Sequence, residues 1–410
     1  GHYLGVDALA AVGATGSVNF MIIGFCMGVC NGFAIPIAQE FGAGHDDNLR
    51  RFVGNCVRLS VVFAASMTVL VVLLCRPILQ LMRTPENIID ASYAYIVIIF
   101  IGIPVTFLYN RPAAIIRCVG ASRTPVIFLM VSAVMNIFLD LLCIIVLHMG
   151  VSGAAVATVV SQAVAGVSCL IYMKKKYAIL KLERDDWRWD RGFALKLCNM
   201  GIPMGLQYSI TAIGSVVLQS AVNEIGSDAV AAVTAGSKLS MLMACPLDGM
   251  GSTMAPYGGQ NMGAGNLERV EKGLKSCTIL GLLYSFFAMA VVFLAGRQLL
   301  MLFLDAGEGA VLENAFFYIR RNVIFYFPLA LVNIVRFLIQ GMGFSRLAVF
   351  AGAFEMLARG LAGFVLVPLF GFTAVCFANP LAWIFADLFL IPAFFFVRKK
   401  AGSKLSGYAI

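Results

Sequence analysis

The stretch Gly5-Val-Asp-Ala-Leu-Ala-Ala-Val12 returns 221 residues later as Gly226-Ser-Asp-Ala-Val-Ala-Ala-Val233. At the same displacement Gln39 meets Gln260, and Gly42-Ala-Gly44 meets Gly263-Ala-Gly265. Further along, Gly120-Ala-Ser-Arg123 matches Gly343-Phe-Ser-Arg346, and Pro104 and Pro328 stand at nearly the same distance. An ordered set of matches at one period is the signature of a duplicated architecture.

What is duplicated follows from composition. Of 410 residues 60% are apolar and 12% charged, about half the charge of an ordinary soluble chain. Eleven apolar stretches, 8–39, 52–75, 91–116, 124–147, 151–173, 197–223, 229–262, 276–296, 316–341, 347–368 and 370–397, are long enough to cross a bilayer. Lipid offers no partner to an open backbone, so each stretch reads as a helix. The fold expected is an all-α integral membrane protein of two six-helix bundles. Six spans separate the matching points, and an even number preserves direction, so the halves are parallel repeats. In the second half the stretch 197–223 precedes the repeated motif, whereas four residues precede Gly5. The reading therefore expects eleven of twelve helices, with the first missing. The expected organisation is an N-terminal bundle over 1–176, a cytoplasmic connector over 177–195, a C-terminal bundle over 196–398 and a cytoplasmic tail over 399–410.

The net charge of +9 points to a membrane face and not to nucleic acid. Arg50, Arg51, Arg117, Arg123, the basic run from Lys174 to Lys196, Arg269, Lys272, Lys275, Arg346 and the tail all fall in alternate loops. The opposite loops hold Arg76, Arg83 and Arg297. The positive-inside rule places the tail in the cytoplasm. Eleven cysteines and three scattered histidines, His2, His45 and His148, form no catalytic or zinc pattern, so neither an enzyme nor a cofactor is expected. No loop is long enough for the output domain of a sensor.

Ionisable residues inside apolar spans are functional candidates, because a mid-bilayer charge costs about 2.5 kcal/mol or more unless served. Asp140 is the one charge between Pro125 and Lys174. Asn136 lies one helical turn before it on the same face, and Thr158 on the next helix brings a hydroxyl. Carboxylate, amide oxygen and hydroxyl are hard ligands suited to Na⁺, and the same carboxylate can carry a proton instead. In the second half Glu355 and Arg359 have i,i+4 spacing and are expected to pair. Lys238 and Asp248 are about 15 Å apart along one helix; Lys238 has Asp387 or Glu355 as alternative partners. Arg111 and Arg336 occupy comparable places in the two halves. These six charges, Arg111, Lys238, Asp248, Arg336, Glu355 and Arg359, are read as cavity lining or structural pairs. The 19 Met and 32 Phe suit an adaptable apolar cavity.

Taken with Asn136, Asp140 and Gly150-Val-Ser-Gly-Ala-Ala-Val-Ala-Thr158, the repeated motifs resemble the multidrug and toxic compound extrusion (MATE) family over essentially the whole chain. The resemblance implies a multi-pass antiporter of the bacterial inner membrane. It would exchange Na⁺ or H⁺ for amphipathic, cationic small molecules and work as a monomer among membrane lipids. It also implies that Asn136, Asp140 and Thr158 help form the coupling site. A lipid-linked oligosaccharide flippase of related architecture is the alternative.

Overall fold

Hydrocarbon forces every backbone N–H and C=O to pair within its own segment, so long apolar runs have the helix as their outlet. The computed structural model describes residues 5–82, 84–304 and 309–407, and all regular structure among them is helical. His2 and Arg83 lie outside the described residues.

The chain opens with two long helices, α1 (Gly5–Ala43) and α2 (Asp46–Leu81). A pair bent by 45°, α3 (Glu86–Ile101) and α4 (Ile103–Cys118), follows. Next, α5 (Arg123–Leu141) runs into a π-helical turn, Leu142–Val146, before α6 (Gly150–Lys176). After α7 (Arg191–Ile225) the same order repeats. Long helices α8 (Ser227–Gly263) and α9 (Leu267–Leu300) lead to a pair bent by 51°, α10 (Gly309–Ile324) and α11 (Tyr326–Gly341). Then α12 (Ser345–Leu361) enters a π-helical turn at Ala362–Leu366, and short α13 (Val367–Phe370) precedes α14 (Phe372–Gly407). With each bent pair taken as one span, the described residues hold eleven helices long and apolar enough to cross a membrane, matching the eleven apolar stretches. Two compact units, 1–209 and 210–410, divide within α7.

The paired prolines explain the bends. Pro104 and Pro328 lack an N–H, and their rings crowd the carbonyls four residues back, those of Phe100 and Ile324. The chain turns there, with Gly102 N–H donating to Ile98 O at 2.9 Å and Phe325 N–H to Asn322 O at 3.0 Å. Pro36, Pro246 and Pro256 leave their helices unbroken.

In the first unit α1 and the first half of α7 cross at glycines. A Cβ on Gly32 would lie 2.5 Å from Gly201 Cα, and one on Gly28 2.6 Å from Met204 O and 2.8 Å from Gly205 Cα. Lipid tails are as apolar as side chains, so close backbone approach of this kind is a main source of helix association. The polar segment 177–190 is strapped to the start of α2. Arg51 pairs with Asp190 at 3.1 Å, Arg50 reaches Asp186 at 3.5 Å, and Asn55 bonds Arg188 O and Asp190 N–H. Asp190 also caps α7, its Oδ1 accepting from Gly192 N–H at 2.8 Å. The segment is therefore docked protein and not a free loop, although Trp187 and Trp189 stay exposed.

In the second unit, side-chain hydrogen bonds tie the helices. Tyr326 Oη donates to Ser240 O at 3.1 Å, and Asn322 Nδ2 donates to Cys376 O at 3.2 Å.

The crossing gives a direct test. Gly28→Ala should cost about 1–3 kcal/mol through overpacking and lower the thermal midpoint in detergent. Gly16→Ala, with nothing within 4 Å of the added carbon, should leave that midpoint unchanged or slightly raised.

Candidate cation site and buried charges

The π-helical turn begins two residues after Asp140, at the end of α5. Such turns widen a helix by one residue and recur at functional sites. The segment that follows turns sharply, His148 and Gly150 both having positive φ (48° and 61°). Gly153 then lets α6 return against the widened turn, where a Cβ would sit 3.1 Å from Cys143 Cβ. This close return brings Thr158 to α5. Asn136 Nδ2 lies 3.5 Å from Thr158 Oγ1, which itself donates to Ala154 O at 2.9 Å.

Asp140 is half-buried, and its Oδ1 is a buried acceptor with no hydrogen-bond partner. Asn136 and Thr158 thus meet across the α5–α6 contact. Asp140 stands one turn along α5 with an unserved oxygen. The three candidate residues are all hard oxygen donors of the kind Na⁺ prefers.

The second unit holds its charges differently. Glu355 on α12 is 3% exposed and lies between two guanidiniums. Arg336 of α11 donates to its Oε1, and Arg359, one turn along α12, is 3.5 Å from Oε2. Arg359 Nε donates to Asn379 Oδ1 at 3.2 Å, and Asn379 Nδ2 donates to Tyr318 Oη at 3.1 Å. Asn379, Tyr318 and Asn333 are polar partners that charge-counting alone did not pick out. Asp248 on α8 accepts from Asn333 Nδ2 at 2.7 Å. Lys238 is exposed and makes no ion pair with Asp387 or Glu355 among the described residues. Asp387 on α14 is buried, and its Oδ1 has no partner. In the first unit Arg111 on α4 is buried with its Nε unpartnered, and it has no ion pair among the described residues.

The MatE family model matches residues 1–142 and 203–365, most of the chain. The chain belongs to the MatE family. It is similar to YoeA of Bacillus subtilis (strain 168), a probable multidrug resistance protein, with 29% identity over 317 residues. That alignment covers 75% of this chain and 68% of YoeA. An FAD transporter of Shewanella oneidensis is 26% identical over 335 residues, covering 81% of this chain and 74% of the relative. A crystal structure of MATE in complex with MaL6 shares the fold, with a TM-score of 0.90 at 21% identity over 98% of this chain and 90% of that one. A MatE chain is a multi-pass membrane transporter and not an enzyme.

The Arg336–Glu355–Arg359 group is open to test. Removing the only charge shared by two buried guanidiniums costs about 3–5 kcal/mol. Glu355→Gln should therefore lower the thermal midpoint and the yield of folded protein, while Lys238→Gln should change neither.

Proposed function

We propose that this MatE transporter is a secondary active antiporter that exports amphipathic, cationic organic compounds in exchange for Na⁺ or H⁺. The observation that carries the reading is the unserved, buried oxygen of Asp140 beside the Asn136–Thr158 contact. A buried carboxylate without a partner is costly in the membrane, so it favours a site that is periodically served by a cation. Na⁺ would be held by the Asp140 carboxylate, the Asn136 amide oxygen and the Thr158 hydroxyl. A proton would be held on Asp140 alone. Neutralised, Asp140 no longer attracts a cationic compound; ionised, it does. Binding of coupling ion and cargo thus excludes each other at one carboxylate, which is what exchange requires.

The charge bias of the loops supports a bacterial inner-membrane location with the C-terminal tail in the cytoplasm. One chain carries both units, which supports function as a monomer. The flippase alternative needs several free cations for a lipid pyrophosphate. Arg336 and Arg359 are engaged by Glu355, which weighs against it, and Arg111 is the buried cation left without an ion pair among the described residues.

Dye efflux in a drug-sensitive bacterial host tests the reading, driven in turn by an imposed Na⁺ or pH gradient. Asp140→Asn should abolish gradient-driven efflux of a cationic dye while the protein remains inserted at normal levels. Thr158→Ala should weaken efflux driven by Na⁺ more than efflux driven by H⁺. Efflux that survives Asp140→Asn would move coupling away from this site. Export of FAD, the cargo named for the Shewanella relative, in place of cationic dyes would overturn the substrate class.

A further inference from the structure

On the outer surface of the first unit, a groove of about 480 Å³ is lined by Phe128 of α5 and by Ser168, Ile171, Tyr172, Lys175 and Lys176 of α6. Its floor is aromatic. The Phe128 and Tyr172 rings meet edge to face at 5.8 Å, and Tyr172 meets Tyr177 at 6.1 Å. Two of its lining side chains, Lys175 and Lys176, are basic, and Lys174 beside them and Arg123 at the first residue of α5 are exposed as well. Further along the same two helices Ile127, Met130, Val164 and Val167 are exposed apolar side chains.

None of these four cations makes an ion pair among the described residues. Of the four acids of the connector, Asp186 is engaged by Arg50, Asp190 by Arg51 and Asp185 by Arg188, and Glu183 makes no ion pair with these lysines among the described residues. The second unit supplies a contrast. There α14 holds the place of α6 in the element order, and two cations of its basic run Arg398-Lys-Lys400 are served from within. Arg398 pairs with Glu271, and Lys400 Nζ stands 5.8 Å from the Phe344 ring and 5.9 Å from the Phe396 ring. The basic run of α6 has no such partners among the described residues.

We propose that this groove is a binding site for an anionic phospholipid of the cytoplasmic leaflet. The phosphate lies beside Lys175 and Lys176, and the acyl chains run along the exposed apolar side chains of α5 and α6. An aromatic floor at the headgroup level suits the glycerol region, where amphipathic rings prefer to sit. A basic pocket between transmembrane helices is the recurrent solution for anionic headgroups. The choice of leaflet rests on the orientation proposed above; the binding itself does not.

Native mass spectrometry of the detergent-solubilised full chain, with no gradient and no sidedness, tests the site apart from export and orientation. The chain is titrated with palmitoyl-oleoyl phosphatidylglycerol, palmitoyl-oleoyl phosphatidylcholine or inorganic phosphate. Phosphatidylglycerol should be retained in preference to phosphatidylcholine. Lys175→Gln/Lys176→Gln should weaken its binding about tenfold, since each basic residue near an anionic surface contributes several-fold. Tyr172→Leu should weaken it with charge unchanged. Lys275→Gln/Lys399→Gln, with the same loss of charge elsewhere, should have no effect. Equal retention of the two lipids, an equal loss in the control pair, or displacement of phosphatidylglycerol by millimolar phosphate would each overturn the proposal.

Discussion

A peptide group in hydrocarbon has no solvent to fall back on, and each departure from helix in this chain is compensated locally. Next to the prolines, at Gly102 and Phe325, the backbone N–H groups keep their partners, Gly102 donating to Ile98 O and Phe325 to Asn322 O. At Leu142–Val146 and Ala362–Leu366 the helix widens into a π-turn and does not break. All four irregularities fall in the same order within their units, although the local sequences have little in common. Common position with divergent sequence argues that the breaks belong to the duplicated scaffold.

The second consequence of the same solvent is that helices cannot be driven together by burying apolar surface. Contact distance and polar bonds do that work instead. In the first unit the α1–α7 crossing relies on bare backbone at Gly28, Gly32, Gly201 and Gly205. In the second, hydroxyl and amide groups at Tyr318, Asn322, Tyr326 and Asn379 tie neighbouring helices. Large apolar side chains such as Leu73, Phe138, Leu294 and Phe364 face outward, the inverse of a soluble core and what a lipid surround requires.

Much of the fold was legible because hydrocarbon thickness imprints itself directly on run length. The eleven apolar stretches became eleven spans, and the Pro104–Pro328 pair marked the two bends. What was not legible has physical causes. Helices continue past the hydrocarbon, so α2 starts at Asp46 where its apolar run starts at residue 52. The π-turns leave no mark, because Leu142–Val146 is apolar on every side and periodicity cannot register one extra residue. Asn136 was readable beside Asp140 from its spacing on one helix face, and its hydrogen bond to Thr158 joins it to the next helix. The docking of segment 177–190 was equally hidden. It depends on pairing across more than a hundred residues, Arg51 with Asp190 and Asn55 with Arg188.

Buried charge separates the two units more sharply than any feature of the backbone. Arg111 and Arg336 hold comparable places in the repeat, yet Arg336 meets Glu355 and Arg111 meets no acid among the described residues. Taking an ion pair out of water costs several kcal/mol per ion, and good geometry returns most of it. The Arg336–Glu355–Arg359 group, further bonded to Asn379, meets that condition in part: each Glu355 oxygen faces a guanidinium, while Arg336 Nε and Arg359 Nη1 have no hydrogen-bond partner. Asp140 meets none of it. Its carboxylate has one buried oxygen without a donor and no ion pair among the described residues, which is the opening that the proposed coupling would use. The second unit also keeps an open acid, since Asp387 is buried with an unpartnered Oδ1. What separates the two units is the setting of their acids: Glu355 lies between two guanidiniums, whereas Asp140 makes no ion pair among the described residues and shares its helix contact with an amide and a hydroxyl, those of Asn136 and Thr158.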